Sequence, residues 1–184
     1  ASEDDIDKLL TMGVCDSKKL NDKKILTLSD KICSSFAYHV VRLFPEKYNE
    51  LYVKFYNLNH LLAWGHATVI ENLIEETQCN NVLIDQFAAK HVVERALKQK
   101  KISPKLQQRH KAEEDPVVAA ASIVARAAFV KGIQSLGEEY SIILPKGASK
   151  MVIAAGKKLV AQHTPEILKK TGKLHFKTRD DILS

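Results

Sequence analysis

Asp85 stands directly after Val82-Leu83-Ile84, a short apolar run with polar ends. Such a run suits a buried central strand, and open α/β sheets gather their ligand sites at the carboxyl ends of their strands. A carboxylate at that edge is placed to hold a divalent cation through oxygen. It is equally placed to be a strand-end turn residue that caps the next helix, and position alone does not separate the two. A second acidic cluster, Glu113-Glu114-Asp115, enters a long apolar segment. Three acids there suit the positive end of a helix, and Asp115 before Pro116 makes a good N-cap with proline at N1. Capping accounts for Asp115, and metal binding opposite Asp85 is one account of Glu113 and Glu114. The third feature, Asp16-Ser17-Lys18-Lys19, brings a hydroxyl, amines and backbone N–H groups to the approach of a helix. That chemistry can hold a phosphate, although many helices begin with such residues.

The elements that must position these residues follow from apolar spacing. Residues 22–43 carry Ile25, Leu28, Ile32, Phe36, Val40 and Leu43 at three- and four-residue steps, which predicts an amphipathic helix capped by Asn21 and stopped at Pro45. His39 falls on that stripe as a core histidine. Glu50 to Tyr56 alternates and is aromatic, which reads as a strand. Leu61 to Glu76 is a second helix with Leu62, Val69, Ile70 and Leu73 inward and His66 packing on the same face. Asn80 to Gln86 is the central strand, Ala88 to Gln99 a helix with Ala89, Val92, Val93 and Ala96 as its stripe, and Leu106 to His110 a possible third strand. Pro116 to Lys131 is apolar almost all round. Its Val117–Ala125 run is too long for a strand and too short for a membrane span, so a buried core helix remains. Ala148 to Gln162 is a helix with Ala148, Val152, Ala155 and Leu159 inward, and Thr164-Pro165 opens a short last helix closed by Gly172. Helices alternating with few strands predict an α/β layer fold with a mixed sheet flanked by helices. With no repeat and no linker, residues 1–184 read as one domain.

Composition bounds the function. The chain has 184 residues, 45% apolar and 27% charged, with a net charge of +6 and a pI near 9.1. The acidic opening, Ala1-Ser2-Glu3-Asp4-Asp5, is no secretory or mitochondrial signal, and a cytoplasmic location without membrane contact is expected. Cys15, Cys33 and Cys79 form no CxxC pair, so reduced thiols are expected rather than zinc. Basic residues gather in two acid-free stretches. The first holds Lys98, Lys100, Lys101, Lys105, Arg109 and Lys111; the second holds Lys169, Lys170, Lys173, Lys177 and Arg179. Each by itself is most simply a solvated surface, while the two together point to a polyanion partner.

Several segments also carry a family resemblance. Gly13-Val14-Cys15-Asp16-Ser17-Lys18-Lys19-Leu20 is similar to the Asp-Ser-Lys motif of type 2 ribonucleases H. Tyr56-Asn57-Leu58-Asn59 followed by Leu62-Ala63-Trp64-Gly65-His66-Ala67 resembles the ribonuclease HIII branch in particular. Val82 to Ala88 resembles the strand of the third catalytic carboxylate. His110-Lys111-Ala112-Glu113 with Val118 to Arg126 resembles the fourth catalytic segment, and Leu144 to Ser149 and Leu174 to Lys177 resemble later segments. The match runs in order from about Ile6 to Lys177.

The resemblance implies a ribonuclease H-like fold and a metal-dependent endonuclease that cuts the RNA strand of RNA–DNA hybrids. It implies Mg²⁺ or Mn²⁺ held by four carboxylates, two of them Asp85 and Glu113, with Glu114 left open as an alternative to Glu113. It further implies that Ser17 and Lys18 hold substrate phosphate and that Asn57 and Asn59 line the groove. The partner would be an RNA–DNA hybrid and the protein a monomer. The family's adjacent Asp-Glu pair, on the opening strand of its sheet, has no counterpart before Ile6, nor does its separate N-terminal substrate-binding domain. The chain is therefore expected to lack its first strands. A second reading of another class is a non-catalytic module that binds hybrids or RNA; a third is a metal-dependent enzyme of other specificity using Asp85.

Overall fold

The structure is a computed structural model that describes residues 2–184. Its elements run α1 (Glu3–Thr11), α2 (Asp22–Ser35), α3 (Pro45–Phe55), α4 (Leu58–Thr77), β1 (Asn81–Asp85), α5 (Lys90–Gln99), β2 (Lys105–Arg109), α6 (Pro116–Glu139), α7 (Lys150–Gln162), α8 (Ile167–Thr171) and α9 (Thr178–Leu183). They form two compact units interleaved along the chain: Ala1–Val41 with Asn57–Ala128, and Arg42–Tyr56 with Phe129–Ser184.

In the first unit the acidic opening run is a helix start. Ser2 Oγ accepts from the Asp5 N–H and Asp5 Oδ2 accepts from the Ser2 N–H, a reciprocal capping box. Asn21 caps α2 through the Lys24 N–H, as its position predicts. The helix then stops at Ser35, well short of the expected residue 43, and Phe36 is extended. The apolar steps continue through Phe36 and Val40, and both still pack against the core from extended backbone. Burial is thus satisfied either way, and the three-to-four spacing overstates the helix. His39 accordingly leaves the core: it is exposed and pairs with Asn72 Nδ2 at 2.7 Å.

The core of this unit has two parts. Leu9, Ile25, Leu28 and Ile32 close on Ala119, Ala120, Ile123, Val124 and Ala127 of α6. Ala63, Ala67 and Ile70 of α4 close on Ile84 of β1 and on Val93, Ala96 and Leu97 of α5. On α4 the inward residue is Leu61, while Leu62 is exposed; on α5 Ala89 precedes the helix and is exposed. The two strands pair in parallel, from Asn81 opposite Lys105 to Asp85 opposite Arg109. Among the described residues they are the whole sheet, a small parallel pair flanked by helices within the expected α/β architecture. At 24 residues α6 is longer than the run to Lys131 predicts, and its most apolar window has a mean hydropathy of 1.6. Length and composition alone would let it cross a membrane, but a core helix has the same character, and this one buries Ala119 and Ile123 against α1 and α2.

In the second unit the expected strand at Glu50–Tyr56 is helix α3 instead. Pro45 opens that helix at its first turn rather than merely stopping the one before. The covered positions are Tyr48, Leu51, Tyr52 and Phe55, a helical stripe, while Val53 is exposed. The run of aromatic and branched residues imitates a strand only when Tyr48 is left out of the count. On α7, Leu159 is buried but Ala148 lies before the helix and is exposed. Leu159 meets Ile167 and Leu168 of α8, which Gly172 caps, and α9 follows; like α1 and α3, it is a helix that the apolar spacing did not predict.

Candidate metal and phosphate site

β1 ends on Asp85 and β2 on Arg109, directly opposite in the parallel pair, so both side chains leave the sheet at its carboxyl edge. The ladder extends one bond further, from the Gln86 N–H to the Arg109 carbonyl at 3.1 Å. After Arg109 the chain reverses through Lys111, which takes the left-handed conformation at φ 55°. The reversal delivers the Ala112 N–H to Asp85 Oδ1 at 3.0 Å and buries the Ala112 methyl completely. Glu113 follows in a single 3-10 turn, Ala112–Glu114. Asp115 then starts α6: its Oδ1 accepts from the Val117 N–H at 2.9 Å, and its Oδ2 lies 3.6 Å from Arg109 Nη2. One carboxylate oxygen of Asp85 is therefore committed to backbone, and the acidic run is tied to both strands.

The Asp-Ser-Lys segment reaches the same place. Asp16 Oδ1 accepts from the Lys18 N–H at 2.9 Å and opens a 3-10 turn over Ser17–Lys19. Lys18 Nζ donates to Glu113 Oε1 at 3.2 Å. That bond and the Glu113 charge hold the Lys18 amine above its usual pKa of 10.5, with Asp16 and Asp85 adding to the effect. Ser17 is buried beneath the turn. Beside Asp85, Phe87 stacks on His66 with ring centroids 4.8 Å apart, and burial pushes the His66 imidazole below its usual pKa. His66 has the packing role that its place on α4 predicts.

Asp85, Glu113 and Lys18 are thus brought together, with Ser17 one residue away. Glu114 is exposed and Asp115 is used in capping, which leaves Glu113 as the acid of the run that meets Lys18. Asn57 caps α4, its Oδ1 accepting from the Asn59 N–H at 2.8 Å, and Asn59 is exposed in the first turn. Among the described residues no hydrogen bond or ion pair joins either asparagine to the carboxylates. The sequence reading missed the Lys18–Glu113 pair, because ninety-five residues separate the two, and missed the anchoring role of Arg126. An arginine on an otherwise apolar helix face was the available signal.

Asp85 and Glu113 offer hard oxygen donors of the kind Mg²⁺ and Mn²⁺ take, so their chemistry fits such an ion. Among the described residues no group of three or more His, Cys, Asp or Glu is arranged around a common metal position.

The family model for ribonuclease HII matches residues 1–179. The chain belongs to the ribonuclease HII family. Within that family it is similar to proteins named ribonuclease HIII: 52% identical over 176 residues to that of Protochlamydia amoebophila, and 51% over 179 residues to that of Chlamydia pneumoniae. These alignments take in 96% of this chain but 58% and 60% of the relatives. A crystal structure of Bst-RNase HIII in complex with Mn²⁺ superposes with a TM-score of 0.92 at 28% identity, covering 100% of this chain and 61% of that one. The chain thus spans about three fifths of the length of the relatives it matches. The α/β fold with helices around a small parallel sheet is that of ribonuclease HIII.

Proposed function

We propose that this member of the ribonuclease HII family contributes to a metal-dependent endonuclease that hydrolyses the RNA strand of RNA–DNA hybrids. Asp85 and Glu113 would hold Mg²⁺ or Mn²⁺, and Ser17 and Lys18 would hold a substrate phosphate. When bound, such ions activate water and stabilise the leaving oxygen in an in-line displacement. The chain's own residues do the positioning. Asp85 Oδ1 is fixed by the Ala112 N–H, which leaves Oδ2 outside that bond for another ligand. Lys18, drawn to Glu113, sets a cation beside the acidic edge, where a phosphate oxygen needs a partner.

The observation that carries this reading is the meeting of Lys18 with Glu113 at 3.2 Å, next to Asp85. Three separate segments that resemble one enzyme family converge there. The similarity to Bst-RNase HIII crystallised with Mn²⁺ supports the choice of ion. The second reading, a binding module without catalysis, is favoured by one observation only, the lack of a three-ligand cluster among the described residues. The test is Asp85→Asn in the full product of the gene. Metal-dependent cleavage of a hybrid by the parent, lost in a variant with an unchanged melting curve and unchanged hybrid binding, supports the nuclease. Hybrid binding without cleavage in the parent supports the module. Cleavage that survives Asp85→Asn removes Asp85 from the metal site.

A further inference from the structure

Arg126 lies on α6, ten residues beyond Pro116, in a stretch otherwise built of alanine, valine and isoleucine with a single serine, Ser122. A guanidinium there needs polar partners. It finds them on both sides of the Asp-Ser-Lys turn: Nη1 donates to the Ser17 carbonyl, and Nη2 lies 3.3 Å from Asp22 Oδ1 in the first turn of α2. Ser17 and Asp22 bracket the short segment that carries Lys18. The planar fork of arginine suits this task, since its two nitrogens fix two acceptors at a set separation, which a lysine cannot do. The same helix begins just after Glu113, the residue Lys18 reaches. The Lys18 segment is therefore held at two levels, by its backbone at Arg126 of α6 and by its amine at Glu113 in the 3-10 turn that precedes α6.

We propose that Arg126 is a positioning residue that sets the phosphate-holding capacity of Lys18 without touching the substrate itself. The inference rests on the reading of Lys18 as a phosphate contact. Both Nη nitrogens of Arg126 have intramolecular partners, so its influence on a polyanion passes through the turn it clamps.

A double-mutant cycle in the full product of the gene tests it, made in an Asp85→Asn background so that a hybrid of one RNA and one DNA strand is bound but not cut. Lys18→Ala should weaken hybrid binding by roughly tenfold and lower the slope of log affinity against log salt by about one. Arg126→Gln should produce most of the same loss and the same change of slope, although it removes no phosphate contact. Arg126→Lys should fall between the parent and Arg126→Gln. In the Lys18→Ala background, Arg126→Gln should add little to either quantity, because the contact it serves is gone. Melting curves of each variant identify loss of fold, and Arg126→Lys keeps the test open should Arg126→Gln unfold. A loss in Arg126→Gln with an unchanged salt slope, or losses that add in the double variant, would overturn the proposal. If Lys18→Ala binds as the parent does, the phosphate role of Lys18 fails first, and the positioning role of Arg126 fails with it.

Discussion

Lys18 Nζ and Glu113 Oε1 lie 3.2 Å apart across ninety-five residues of chain, and the lysine is mostly exposed while the glutamate is mostly covered. Exposed ion pairs of this kind add little to stability. Its consequence is local: an amine occupies the carboxylate proposed to bind metal. A metal ion held by Glu113 would compete with this amine for the carboxylate.

That competition gives the first prediction. Lys18→Ala should tighten Mn²⁺ binding by roughly two- to fivefold, the range an exposed pair can supply. Titration of the chain with Mn²⁺, followed by calorimetry or by the spin signal of the free ion, measures it. An unchanged affinity would show that Glu113 is no ligand, and Glu114 would be tested next.

Asp85 offers a sharper separation of fold from function. Its Oδ1 holds the Ala112 N–H, a bond that an asparagine carbonyl reproduces and an alanine cannot. Asp85→Asn should therefore melt close to the parent in the absence of metal, while Asp85→Ala loses about 0.5–1.5 kcal/mol. Both should lose metal binding. If the two variants melt alike, the Asp85–Ala112 bond does not hold the acidic turn in solution.

Much of this was legible in the sequence, for identifiable reasons. β1, β2 and the start of α6 were readable because Val82-Leu83-Ile84 and Asp115-Pro116 are local signals. Asp85 stood out by its place after an apolar strand, and Glu113 was preferred to Glu114 through the family resemblance. The misread elements had local signals that fit two structures. The stripe from Ile25 to Val40 satisfies burial in α2 and in the extended segment after it, and Leu51 to Tyr56 alternates while also belonging to a helical stripe. The Lys18–Glu113 and Arg126–Ser17 contacts depend on tertiary packing, which no spacing rule reports.

The stacked His66 predicts a pH dependence of stability. Burial lowers its folded pKa below the usual 6.5, so the unfolded chain binds the proton more readily. Its contribution is fully present above pH 6.5 and is lost as pH falls through the depressed folded value. His175 has the same sign, from burial and from Lys173. Denaturant titrations from pH 7.5 to 5, the range over which histidines change charge, should show stability falling with pH, and His66→Phe should flatten part of that fall while keeping the stack on Phe87. An unchanged slope in His66→Phe would show that His66 titrates normally.

The lysines of the first basic stretch are not equivalent. Lys100 is half-buried and bound to Glu71 at 2.6 Å, whereas Lys98, Lys101, Lys105 and Lys111 are exposed. If this stretch contacts phosphates, hybrid affinity should fall steeply with salt, each contact adding roughly 0.9 to the slope for B-form DNA. Alanine at Lys105 or Lys111 should lower the slope, and alanine at Lys100 should cost stability but leave it unchanged. Equal slopes for all these variants would make the stretch a solvated surface.

The ligand count bears on activity. Two divalent ions carry four positive charges and need several carboxylates for charge balance and geometry. Asp85 and Glu113 would supply two, and among the described residues no group of three or more such side chains is arranged around a common metal position. The 184-residue chain by itself should therefore bind Mg²⁺ weakly and cleave hybrids negligibly, while the full product of the gene cleaves them in a metal-dependent manner. A gel assay on a labelled hybrid, run with both proteins and their Asp85→Asn variants, distinguishes the cases. Cleavage by the 184-residue chain that disappears in Asp85→Asn would show that further ligands within these residues move into place when metal binds. Cleavage by either protein that persists in Asp85→Asn would mean that the reaction does not pass through this edge of the sheet.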